Sequence, residues 1–158
     1  MSTKEGRMAG KWFDELEVGM EFRHPIRRTI TETDNVLFTT MTHNPAQLHL
    51  DEEYCRTQTE YGQRLVNSTF TLALMVGISV GDTTLGTAVA NLGWDEVRFP
   101  KPLFHGDTIR IETTVLALRN SKSRPDQGIV TFEHRAYNQR DELVAICKRS
   151  GLQRKKPA

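Results

Sequence analysis

Two short stretches hold residue types that can do chemistry. Between two helix-like patterns lies Thr42–His49, THNPAQLH, which sets the carboxamides Asn44 and Gln47 and the imidazoles His43 and His49 around Pro45. That is an unusual collection for a plain connector. A carboxamide can orient water or a substrate, but it cannot act as a general base. His43 and His49 stand six residues apart with Asp51 nearby. This spacing matches no zinc signature and no further His/Cys cluster supports it, so no metal is expected. The second stretch is Asn67-Ser68-Thr69, the polar start of NSTFTLALMVGISV. At the start of a helix it offers free backbone N–H groups and the positive end of the helix dipole.

The elements that must position these stretches follow from pattern. Asn67–Val80 is apolar or small on every face, which predicts a central helix buried on all sides and ended by Gly81-Asp82. At ~1.5 Å per residue it is about 21 Å long, too short and too interrupted to cross a bilayer. Ahead of it, Met20–Ile30 reads as a strand anchored by Phe22, Ile26 and Ile30, with Pro25 marking an edge or bulge. Thr31-Glu32-Thr33-Asp34 has the look of a helix start, with Val36, Leu37, Phe38 and Met41 as its apolar face. Asp51 can cap a second short helix, Glu52–Thr57. After the central helix come strand patterns at Gly86–Phe99, Thr108–Arg119, Ile129–Tyr137 and Glu142–Leu152. Thr108–Arg119 places Ile109, Ile111, Val115 and Ala117 on one face, and Asn120–Gly128 reads as a hairpin loop. His24, His105 and His134 fall in turns or strands and are expected at the surface or capped. The order is that of an α+β chain with segregated elements: one long helix and an antiparallel meander.

Composition narrows the classes. The 158 residues are 37% hydrophobic and 26% charged with a net charge of +1, so one globular domain is expected, with no global field to recruit nucleic acid or a membrane. The basic run Lys148-Arg149 to Lys155-Lys156 reads as a solvated end. Two cysteines, Cys55 and Cys147, make no disulfide framework, and Cys147 sits in an apolar strand pattern that predicts packing. Residues 1–9 read as a flexible polar leader without the apolar core of a signal peptide, and the domain as 10–155, so a cytoplasmic protein is expected. GxSxG, P-loop and GxGxxG fingerprints do not occur.

The segment LFTTMTHNPAQLHLDEEY resembles the hydratase motif of MaoC-like (R)-specific enoyl-CoA hydratases, T-G-D-x-N-P-x-H followed by an acidic helix start. The RF-x-x-P run, the GDT turn and the S-x-S-R-P-D hairpin further along resemble the family's sheet half. Together the similarity covers nearly the whole chain, and it is greatest to the mesaconyl-CoA hydratase branch. It implies a hot-dog fold, a long central helix wrapped by a curled antiparallel sheet.

With the motif anchored at Thr42 and His49, the resemblance puts His49 at the catalytic histidine and Asn44 where the family has its catalytic aspartate. His49 would then act as acid/base, while Asn44 positions water. Asn67, Ser68 and Gln47 become the oxyanion and substrate-binding residues. An aspartate at 44 would repel a substrate carrying its own carboxylate, whereas Asn44 can donate to it, which fits a branched or dicarboxylic enoyl-CoA. Arg98, Lys122 and Arg124 are the cations available for coenzyme A, which is expected only as part of the substrate, with no other cofactor. A homodimer, or an oligomer built from dimers, is implied. Two alternatives stand beside this reading: a catalytically altered acyl-CoA-binding protein, and a thioesterase using Asp51 or Glu53.

Overall fold

The computed structural model describes residues 10–157, so the expected leader at 1–9 lies outside the described residues. After a 3₁₀ turn at Phe13–Glu15 the chain forms β1 (Glu21–Arg23), β2 (Arg28–Thr29), α1 (Glu32–Met41), α2 (Gln47–Leu50), α3 (Glu52–Gln58) and α4 (Ser68–Thr83). The strands β3 (Ala88–Arg98), β4 (Thr108–Asn120), β5 (Gln127–Tyr137) and β6 (Leu143–Arg154) follow. They make an antiparallel sheet in the order β1-β4-β5-β6-β3, with β2 also paired to β4. The expected α+β arrangement is present. The sheet is open, and β3 forms one edge, bonded to β6 alone.

The core sits between α4 and the sheet. Met75 and Ile78 of α4 pack with Ile109 and Ile111 of β4, Ala136 of β5 and Val144, Ala145 and Cys147 of β6. Each Met, Ile or Val side chain among them, fully buried, contributes ~1.5–3 kcal/mol. A second cluster joins Leu16, Val115, Val130 and Phe132 at the other end of the sheet. Among the described residues, no helix is long and apolar enough to cross a membrane.

Several local expectations give way to tertiary structure. The central helix is covered on one side only: Thr69, Ala73 and Gly77 are exposed. It also runs through Gly81-Asp82 to Thr83, whose hydroxyl donates to the Ser79 carbonyl at 2.6 Å. The single early strand is two short ones, separated at Pro25, and Ile26 is exposed while Ile30 is fully buried. A register shift between Val115 and Ala117 breaks the alternation of β4 and turns Ala117 outward. In α1 the expected apolar face is not the buried one. Leu37 and Met41 are 55% and 76% exposed, and the buried residues are Asn35 and Thr39.

Of the three histidines expected at the surface or capped, His24 and His134 are interior and bonded to other side chains. His24 Nδ1 lies 2.9 Å from Asp82 Oδ2 and its Nε2 2.8 Å from Thr113 Oγ1. Thr113 Oγ1 in turn lies 2.8 Å from His134 Nδ1. Burial, helped by the nearby Arg149 and His24 charges, lowers the pKa of His134 to about 3, so its ring is neutral. Arg149, expected on a solvated basic end, is buried as well.

Candidate active site

The histidine-bearing segment is shaped by the end of α1. Thr42 caps that helix; His43 N–H then bonds the Thr40 carbonyl and Asn44 N–H the Thr39 carbonyl, both at 3.1 Å. This crossed pair is the Schellman arrangement, and it places His43 in the left-handed region at φ 54°. The resembled motif has glycine at this position. Pro45 then opens the turn, and α2 carries His49 on its single turn. Asp51 ends α2 and caps α3, its Oδ1 accepting from Tyr54 N–H at 2.8 Å. Arg64 braces the outside by reaching Glu32 of α1 at 2.5 Å and Glu52 of α3 at 2.7 Å. Those bonds hold its guanidinium above its ordinary pKa.

His49 is oriented by the backbone. Its Nδ1 lies 2.9 Å from the Leu65 carbonyl oxygen. A carbonyl can only accept, so Nδ1 carries the proton and the neutral ring keeps its lone pair on Nε2. His49 lines a cavity of about 340 Å³ together with Ser68 and Thr71 of α4, Lys101, and the apolar Leu65 and Val144. Ser68 is the first residue of α4, so its N–H has no intrahelical partner. An imidazole lone pair and a helix N-terminus therefore face one half-apolar cavity, an arrangement suited to moving a proton while a carbonyl oxygen gains negative charge.

Beneath the cavity lies a hub that the sequence concealed. Asn35 is fully buried. Its Nδ2 donates to the Leu65 carbonyl at 3.0 Å and to His105 Nε2 at 3.0 Å, with the His49 carbonyl at 3.4 Å, and its Oδ1 accepts from Asn67 N–H at 2.8 Å. The one residue thus ties α1, the histidine turn and the tip of α4 together. His105 must accept from Asn35, so its Nε2 is unprotonated. Burial, followed by the Arg64 charge, pushes its pKa down and agrees with that state. An asparagine inside a helix, against its propensity, was the available signal.

The remaining anticipated residues are placed as follows. Asn67 is the cap of α4: its Oδ1 accepts from Thr69 N–H at 3.0 Å and its Nδ2 donates to Thr39 Oγ1 at 3.3 Å. It is buried and committed to the chain rather than open to the cavity. Asn44 Oδ1 accepts from Ala46 N–H at 3.0 Å, and neither Asn44 nor Gln47 lines the cavity. Gln47 Nε2 instead donates to Asp51 Oδ2 at 3.2 Å. Arg98 borders a separate small cleft with Glu96, Glu133 and Lys148. Lys122 and Arg124 sit beyond Asn120, at the far end of β4, ~40 Å along the strand from Thr108. The cation that does line the cavity is Lys101, in the RFPKP stretch. Asp51 and Glu53 do not reach it, since Asp51 is a cap and Glu53 pairs on the surface with Arg56 at 2.7 Å. Among the described residues, no three His, Cys, Asp or Glu side chains converge as a metal site would require.

Comparison with known proteins adds to this geometry. Residues 14–138 match the MaoC like domain family. The mesaconyl-CoA hydratase of Cereibacter sphaeroides is 32% identical over 148 residues, 94% of this chain and 42% of that protein. The chain spans less than half the length of this and of the mesaconyl-CoA hydratase of Haloarcula marismortui, which it also matches. Among solved structures, the MaoC-like dehydratase of Rhodospirillum rubrum superposes with a TM-score of 0.82 at 30% identity, over 94% of this chain and all of that one. A double-hotdog protein of Mycobacterium tuberculosis superposes with a TM-score of 0.84 at 24% identity, covering 94% of this chain and 45% of that one, which establishes the hot-dog fold.

Proposed function

Because the chain belongs to the MaoC-like domain family of hydratases and dehydratases, we propose that it is a hydro-lyase acting across the 2,3-double bond of a short enoyl-CoA thioester, preferably a branched or dicarboxylic one. The observation that carries this reading is the shared cavity: His49, held by its Nδ1 with Nε2 left as a base, lines it together with Ser68, the first residue of α4. In hydration, water gives a proton to His49 Nε2 as its oxygen bonds to C3. The thioester oxygen takes up the enolate charge against the Ser68 N–H, and the proton on His49 is returned to C2. Dehydration runs the same steps backwards.

Asn44 does not line the cavity, so its bearing on the acyl preference is one of charge: with its Oδ1 engaged by Ala46 N–H, it adds no carboxylate to the histidine turn to repel a second substrate carboxylate. The family relatives named for mesaconyl-CoA support the same substrate class.

A homodimer joined at β3 completes the proposal. This edge strand exposes Leu92, Trp94, Val97 and, just beyond it, Phe99. Such an edge invites pairing. In antiparallel pairing the partner's β3 start, beside its β4–β5 hairpin, lies next to this chain's β3 end, where the cavity opens. The partner subunit's Lys122 and the partner subunit's Arg124 then approach the coenzyme side, joining Lys101.

The test is turnover of mesaconyl-CoA and crotonyl-CoA by the wild type and His49→Ala. Mesaconyl-CoA should be preferred, and His49→Ala should lose ~10²–10⁴-fold. Equal or absent turnover of the two substrates refutes the acyl preference. Retained activity in His49→Ala refutes the base, and thiol release would point to a thioesterase.

A further inference from the structure

We propose that Arg149 and the cavity beside it, at the C-terminal end of α4, form a second binding site, which takes a carboxylate carried on a small apolar body. Arg149 projects from β6 toward the helix side of the sheet, opposite Phe132 in the β5 register, with its guanidinium 5.6 Å from the Phe132 ring centroid. It is 8% exposed. Among the described residues no carboxylate pairs with it, and its Nε has no hydrogen-bond partner.

Arg64 provides the internal contrast: similarly enclosed, it is met by two carboxylates. A buried guanidinium without a counter-charge is expensive in any folded chain, and such groups are retained where a ligand supplies the missing charge. Burial also pulls the Arg149 pKa below its ordinary value, although arginine remains charged at any physiological pH.

The space next to it fits an occupant. A cavity of about 430 Å³ is lined by Arg149 together with Val80, Leu85, Val89, Val130 and Leu152. Gln153 lines it too, and Gln153 Oε1 is also without a partner. Of the three buried side-chain atoms among the described residues that lack partners, two thus belong to this one cavity; the third is His134 Nε2, on the neighbouring strand.

The walls choose the ligand. Within one subunit, one guanidinium, no second cation and largely apolar walls match a single negative charge on a hydrocarbon, held by the two-pronged contact that arginine makes with a carboxylate. A phosphate or the polyanionic end of a coenzyme would bring more charge than one arginine offsets. The site is separate from the His49 cavity of the same chain, since the 16 residues of α4 put ~24 Å between their ends.

The test is direct binding to the whole 158-residue chain, read by calorimetry, with hexanoate, its neutral isostere hexanamide and inorganic phosphate. Hexanoate should bind saturably, hexanamide and phosphate at least about tenfold more weakly, and Arg149→Gln should lose the hexanoate preference. The amide comparison uses only wild-type protein, so it stands even if the variant folds poorly. No saturable hexanoate binding, equal binding of hexanamide, or unchanged affinity in Arg149→Gln would each overturn the proposal. None of these readouts depends on hydratase turnover, so the two assignments fail separately.

Discussion

At its N-terminal end α4 meets a buried asparagine that answers its neighbours almost group for group: Asn67 N–H, the Leu65 carbonyl and His105 Nε2 all end on Asn35. At its C-terminal end the interior is just as polar, with His24, Thr113, His134, Arg149 and Gln153 beneath the helix, yet His134, Arg149 and Gln153 each keep an atom with no partner. Both ends bury polar side chains, but only the first closes its network. A closed network fixes geometry, as a site that aims one imidazole nitrogen needs, whereas an open one costs stability until something fills it. The contrast places rigidity at the candidate active site and unmet demand at the opposite end.

The largest expected effect comes from opening the closed end. Asn35→Leu has nearly the right volume but strips the Asn67 N–H and His105 Nε2 of their partners and takes one of two donors from the Leu65 carbonyl. Unpaired buried groups cost ~1–3 kcal/mol each, so urea unfolding should show a loss of about 3 kcal/mol or more. Turnover should fall further than stability alone explains, because the Leu65 carbonyl also holds His49. A loss under about 1 kcal/mol would mean that the network is ornamental and the contrast between the ends is false.

The open end should declare itself through pH. The folded pKa of His134 is depressed to about 3 from an ordinary 6.5, first by burial and then by Arg149 and His24. A neutral ring is thus favoured on folding. The stability it permits is present in full above about pH 6.5 and is lost as the pH falls toward 3, at up to ~1.4 kcal/mol per unit. His134→Gln cannot take up that proton. The difference in unfolding free energy between wild type and variant, followed from pH 7.5 to pH 4, should therefore narrow or reverse in the variant's favour. A pH-independent difference would show that His134 is reached by water and that the interior there is less dry than its burial indicates.

What the sequence made legible was whatever depends on repeating pattern. The central helix, four of the strands and the hairpin at 121–126 follow from periodicity and turn residues, and the hydratase-like segment pointed to the family. The misread residues share a different cause: their partners are remote in the chain. Leu37 and Met41 look like the inner face of α1 until Asn67 and Leu65, about 30 residues away, claim Asn35 instead. His134 looks like a solvated strand residue until Thr113, 21 residues away, pairs with it and the fold buries it. Arg149 looks like part of a basic tail because sequence alone does not show which face of β6 turns inward. Lys122 and Arg124 match by motif, but strand length carries them away from the cavity of their own chain, while Lys101, inconspicuous in its proline-flanked loop, lines it.

The smallest expected effect tests whether the closed end is also optimised locally. His43 occupies the left-handed position of the Schellman turn at φ 54°, exposed, with no side-chain bond among the described residues. A side chain there carries strain that glycine avoids, although glycine also gives the unfolded chain more freedom to lose. The first term should win at a C′ position, so His43→Gly should stabilise by ~0.5–1 kcal/mol, read as a rise in the urea midpoint with an unchanged slope. His49 lies beyond the turn, so turnover should hold. If instead turnover falls while stability rises, the strain at His43 serves the placement of the loop, and the active-site end, like the Arg149 end, gives up stability for its task.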